Sequence, residues 1–124
     1  MSNQPDFPWG VRNGHDVQLE RWPLDPQQVL QGNPETSGHV IWSSADKRQQ
    51  CGIWEITPGT VTDVECAELI VVLYGRATVT TKQGQVIELH PGSVATWPGG
   101  TVTEWVVHER LRKAYYLVKN DPVA

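Results

Sequence analysis

The stretch AELIVVLYGRATV, residues 67–79, opens an otherwise apolar run with a single acid, Glu68. A buried carboxylate is costly unless it is paired, hydrogen-bonded or bound to a metal. Glu68 is therefore a ligand, a catalytic group or a structural anchor. Few other residues offer chemistry beside it. Lys113 and Tyr115 share one face of a strand, because side chains alternate with period two. Trp54 and Trp105 fall in predicted strands, where tryptophan is by default core. A cleft with a charged group and several aromatic walls is nevertheless the usual shape of a small-molecule site. A carboxylate desolvated in such a cleft suits general acid–base work. The plainer readings are that Lys113 lies on the surface and that Glu68 is an anchor, bonded to a Trp or Tyr or paired with Lys113.

The elements that must position these groups are strands. From residue 39 the chain reads as short β-rich runs: HVIWSS, CGIWEIT, ELIVVLYGRATVTT, QVIELH, SVATWP, TVTEWVVH and LRKAYYLVK. They are separated by ADKRQ, PGT, KQG, PGS and PGG, which are turn signals. Runs of that length and spacing predict an all-β sandwich or barrel. Residues 1–35 read differently. Pro5, Pro8, Pro23, Pro26 and Pro34 break any long helix, so an extended arm with short strand pieces is expected, with at most one helical turn in DPQQVL. Residues 36–120 form the single barrel domain. Trp9 and Trp22 in the arm are expected to pack it down or to join a dimer contact.

A chain of 124 residues supports one core, burying roughly 65% of the unfolded surface. The net charge of −4 comes from interspersed acids and bases, with no basic patch to suggest nucleic acid or an anionic membrane. The longest apolar run, LIVVLY, is far short of a membrane span, and MSNQPDFPWG lacks the pattern of a signal peptide. Cys51 and Cys66 form no Cys-x-x-Cys pair, which favours a reduced, cytoplasmic protein over one with a disulfide between them.

TPG at 57–59, Glu68 with Gly75, and HPGSVATWPGG at 90–100 together resemble the cupin superfamily. The segment GNPETSGHVIWSSADKRQQCGIWEITPG and WVVHERLRKAYYLV are similar to small single-domain cupins of the ureidoglycine aminohydrolase and ethanolamine-utilisation type; RKAYY matches an Arg-Lys-x-Tyr pattern of that group. The resemblance covers about residues 30–118 and implies a cupin-type jelly-roll β-barrel with an N-terminal arm. It also implies a metal held by three histidines and the glutamate. Those histidine positions fall here on Thr62 and Val64, or Val61 and Asp63, and on Thr103. His15, His39, His90 and His108 lie elsewhere. Glu65 and Cys66, adjacent on one strand, would point to opposite faces and could not both help Glu68. No metal and no cofactor are therefore expected.

The family orientation sends Glu68, Ile70 and Val72 into the barrel, with Thr103 and Trp105 beside them, and Glu68 is expected close to Trp105 or Thr103. Leu69, Val71 and Leu73 then need cover from the arm or a second subunit, and a homodimer is favoured. The functional expectation is a barrel that binds a small polar metabolite through Trp54, Thr103, Trp105, Lys113 and Tyr115, with Glu68 as the acid/base of a metal-independent enzyme. The alternative is a non-catalytic sensing or structural module. A metal-dependent enzyme ranks third.

Overall fold

The computed structural model describes residues 7–119. Residues 1–6 of the expected arm, Pro5 among them, and residue 120 of the expected barrel domain lie outside the described residues. Within them the regular structure is nine strands and one short 3-10 turn, Pro26–Gln28. No helix among the described residues is long and apolar enough to cross a membrane. The strands are β1 (Glu20–Arg21), β2 (Val29–Gln31), β3 (Thr36–Ser43), β4 (Gln49–Ile56), β5 (Gly59–Val64), β6 (Ala67–Thr81), β7 (Val86–Leu89), β8 (Val94–Trp97) and β9 (Val102–Val118).

The fold is the all-β cupin jelly roll, a strongly curled sheet organised around β9. Along one edge of β9 run β5, against residues 102–107, and β4, against residues 111–118. Along the other edge runs β6 for nearly its whole length. Strand β6 in turn carries β8 and β7 end to end on its far side. TVTEWVVH and LRKAYYLVK, two runs in the sequence, are thus one 17-residue strand. The polar segment His108–Arg110 stays extended because β6 continues to pair alongside it.

That pairing requires a bulge. The register between β6 and β9 slips around Gly75, and the buried side of β6 changes from Ile70 and Val72 to Ala77 and Val79. Gly75 sits at φ +91°, and a Cβ there would lie 1.9 Å from the carbonyl oxygen of Arg110, so only glycine fits. Ile56, Ile70, Val72, Val79 and Leu111 form the fully buried centre of the inner face.

The described part of the arm, residues 7–35, is stitched to this sheet. β1 pairs with β3 and β2 with β5. On the outer face Gly14 packs against Leu73 and Ile53, and the Phe7 ring meets Trp42 at a tilt, with ring centres 4.5 Å apart. Arg112 of β9 pins this stretch: its Nε donates to Glu55 at 2.9 Å, and its Nη1 donates to the carbonyls of Gly14 and Val17 at 3.0 and 3.1 Å. Tyr74 also donates to Glu55. The arm then turns inward, where Trp22 lies flat on Gly38. Trp9 is fully exposed rather than packed, and Leu69 remains partly exposed.

Candidate functional site

Period-two alternation on four strands builds the site, β5 contributing Val61 and Asp63. β9 turns Trp105, Lys113, Tyr115 and Leu117 inward, β4 adds Gln50 and Trp54, and β6 adds Glu68. With Trp22 and Leu24 from the arm they line a half-open cavity of about 290 Å³.

At its floor the Lys113 ammonium lies 3.0 Å from the Glu68 carboxylate, and the two side chains are 8% and 6% exposed. Lys113 is therefore not a surface lysine. Two charges taken from water cost several kcal/mol each unless closely compensated. Here the pairing is supplemented by aromatic faces: the ammonium sits 4.6 Å from the ring centre of Trp54, 5.3 Å from Trp105 and 5.9 Å from Trp97. Trp105 holds the other two rings edge-on, at 6.0 Å from Trp54 and 5.9 Å from Trp97.

The hydrogen bonds expected at Glu68 go to a different acid. Thr103 Oγ1 and Trp105 Nε1 each donate at 3.1 Å to Oε2 of Glu65, which is only 5% exposed. Glu65 and Cys66 belong to the connection between β5 and β6, not to a strand, and both line the cavity. The expectation that they face opposite ways fails because alternation holds only within a strand. The Pro98–Gly100 turn fixes this connection: Gly100 N–H donates to the carbonyl of Glu65, and Glu65 N–H to that of Thr101, both at 2.8 Å. The signal available in the sequence was the second acid in ECAE, three residues before Glu68.

Burial pushes the Glu65 carboxyl up to about 7. The Lys113 charge pulls against that shift, the Asp63 and Glu68 charges add to it, and the Trp105 hydrogen bond opposes it. Burial also raises the Tyr115 phenol, against the hydrogen bond it accepts from Gln50 Nε2 at 2.8 Å. Opposite Tyr115 stands Gly52, where a Cβ would lie 3.0 Å from the phenol oxygen and 2.2 Å from the carbonyl of His39. The glycine makes room for the phenol.

The residues do not fit a resident transition metal. Among the described residues no three His, Cys, Asp or Glu side chains converge as metal ligands. None of His15, His39, His90 and His108 lines the cavity, Lys113 takes one oxygen of Glu68, and two donors take one oxygen of Glu65. Cys51 and Cys66 are free thiols.

Residues 43–115 match the EutQ-like cupin domain. No curated protein sequence matches. Among solved structures, a DUF861 family protein from Pseudomonas syringae pv. tomato superposes with a TM-score of 0.76 at 18% identity, over 94% of this chain and 52% of its own. The chain thus spans about half the length of that relative. The EutQ protein of Clostridium difficile gives 0.60 at 18% identity, over 71% of this chain and 65% of its own. The cupin domain of Schizosaccharomyces pombe Cnp3 gives 0.63 at 13% identity, over 89% and 74%. At these identities the likeness is one of fold.

Proposed function

The chain belongs to the EutQ-like cupin family, and from that premise we propose that residues 1–35 are an arm and residues 36–120 a single barrel domain that binds a small polar metabolite. The observation that carries this reading is the buried Lys113–Glu68 pair at the floor of a tryptophan-walled cavity. Trp54 and Trp105 are its walls, Tyr115 a hydrogen-bonding group, and Thr103 a support that orients Glu65. Glu68, held as the carboxylate partner of Lys113, is the group that accepts a proton from a bound molecule in the catalytic form of this reading. A sensing or structural module is the second reading, favoured by Lys113 itself, whose ammonium already occupies the ring faces around it.

A thermal-shift screen of small polar metabolites separates the two. A true ligand at a hundredfold excess over its dissociation constant adds roughly 2.7 kcal/mol of stability. The Glu68→Gln variant keeps an acceptor for Lys113 but leaves its buried ammonium without a counter-charge, costing about 1–3 kcal/mol or more, and is expected to abolish that gain. A screen in which nothing raises the melting temperature supports the module. We further propose a homodimer through the outer face around the exposed Leu69 and Val94, testable by sedimentation. The two free thiols are in keeping with a reducing, cytoplasmic setting.

A further inference from the structure

The tryptophan faces at the cavity floor already hold the Lys113 ammonium, so recognition of a ligand falls to other groups. Tyr115 of β9 and Gln50 of β4 are neutral polar members of the same lining. Gln50 Nε2 donates to the phenol oxygen at 2.8 Å, and among the described residues neither side chain makes another hydrogen bond. A phenol carries one donor and two lone pairs, and a carboxamide carries two donors and an acceptor oxygen. One bond between them leaves the phenol O–H, the second amide N–H and the amide oxygen unmatched. Turning the carboxamide over exchanges the roles: its oxygen would accept the phenol proton and both N–H groups would be left. Either way the pair offers the cavity at least one donor and one acceptor. Tyr115 is only 6% exposed, and a buried polar group left unmatched is destabilising. Burial also raises the phenol above its ordinary range, so it keeps its proton at neutral pH.

Charge narrows the class of molecule that answers this pair. Lys113 would repel an entering cation, and Asp63 and Glu68 would repel an entering anion. Lys113 and Glu68 are matched to each other at 3.0 Å, which leaves a dipole two residues along β9 from the phenol. A neutral molecule meets neither barrier, and the volume of about 290 Å³ keeps it small. Resting on the small-molecule reading above, we propose that the Tyr115–Gln50 pair is the recognition group of the cavity, and that its ligand is neutral and bound through a group that both donates and accepts, a hydroxyl or a carboxamide. Gln50 is then a specificity-determining residue. Gly52 opposite Tyr115 keeps the phenol oxygen clear, since a Cβ there would lie 3.0 Å from it.

The test uses the full chain and a set of Y-shaped probes of one size: acetamide, propan-2-ol, acetone, acetate and acetamidinium. The first two both donate and accept, acetone and acetate accept only, and acetamidinium donates only. Titrations near neutral pH at constant ionic strength are read from the nitrogen-15 signals of the Gln50 carboxamide and the Trp105 indole. Acetamide and propan-2-ol are expected to bind roughly two- to tenfold more tightly than acetone, the worth of one neutral hydrogen bond, and more tightly than either ion. Whichever of the two binds better identifies the ligand's group as carboxamide or hydroxyl, and either result supports the proposal. The double variant Gln50→Leu with Tyr115→Phe, read at Trp105, should erase the preference and leave acetamide, propan-2-ol and acetone within about twofold of one another. If that variant does not fold, the order of the probes on the unmutated protein decides. Acetate or acetamidinium binding more tightly than acetamide and propan-2-ol would overturn the neutral ligand while leaving the small-molecule reading in place. Acetone matching both on the unmutated protein would do the same. Signals that none of the probes moves would also overturn it, and the metabolite screen then judges the parent reading separately.

Discussion

On β9, Arg112 and Lys113 point to opposite faces of one sheet, and each meets a glutamate: Glu55 on the outer side, Glu68 on the inner. Both pairs are nearly buried, yet their surroundings differ in kind. The guanidinium of Arg112 is spent on fixed partners, one carboxylate and two arm carbonyls, in the planar fork that arginine offers. The ammonium of Lys113 has one carboxylate and three ring faces, which are soft and non-directional, and it borders a cavity. The outer pair fastens the arm, while the inner pair leaves space beside a charge. A buried ion pair is thus structural or available according to what saturates its hydrogen bonds.

The largest expected effect lies on the outer face. Arg112→Met leaves Glu55 buried beside Tyr74 and releases the carbonyls of Gly14 and Val17, and should cost about 3–5 kcal/mol in denaturant unfolding. Amide exchange over residues 14–17 should accelerate well beyond the global change. Arg112→Lys should recover little, since an ammonium lacks the planar fork by which Nε meets the carboxylate while Nη1 meets the two carbonyls. A loss below about 1 kcal/mol, with exchange unchanged, would erase the distinction between the two faces.

Next in size is a pH-dependent effect on the inner face. The Glu65 carboxyl is raised from 4.5 to about 7, so the folded state holds a proton that the unfolded chain has released. Stability therefore falls as pH rises through that window and is level above it, by about 3 kcal/mol in total. Glu65→Gln keeps acceptors for Trp105 and Thr103 without the ionisation. It should be more stable than the wild type above about pH 7 and lose that advantage towards pH 4.5. Equal stability of the two proteins at every pH would mean that Glu65 titrates like an exposed acid.

These residues also show what the sequence could disclose. Local chemistry was legible: the turn residues of KQG, PGS and PGG bound the strands where turns were expected, and Gly75 marks the bulge. Period two paired Lys113 with Tyr115 and Thr103 with Trp105, and of these Trp105, Lys113 and Tyr115 line the cavity with Trp54 and Glu68. What stayed hidden depends on distant partners. Glu65 faces inward because a turn some 35 residues later grips its backbone. Arg112 reaches carbonyls 98 and 95 residues away. The unity of β9 depends on β6. Alternation describes a strand from within; it is silent about connections and about what a second strand will hold extended.

The smallest effect sharpens the comparison most, because it isolates the soft partners of Lys113. Trp54→Phe keeps an aromatic face under the ammonium but one with a weaker quadrupole, and Lys113→Met removes the charge while keeping a flexible apolar stem. Trp54 sits nearest the ammonium, at 4.6 Å, so the two changes should not add. A double-mutant cycle in denaturant should give a coupling of about 0.5–1 kcal/mol, with the double variant losing less than the sum of the singles. The matching contact on the outer face is Arg112 over Tyr74, at 5.6 Å, where the phenol also donates to Glu55. A cycle of Tyr74→Phe with Arg112→Met keeps the ring and removes the hydroxyl, so its coupling reports the hydrogen bond to Glu55 instead. That outer coupling should persist in high salt, because its groups are locked in one geometry away from water. Zero coupling at Trp54 in the absence of any ligand would mean that Glu68 alone holds the ammonium, and the inner pair would then differ from the outer one only in the cavity beside it.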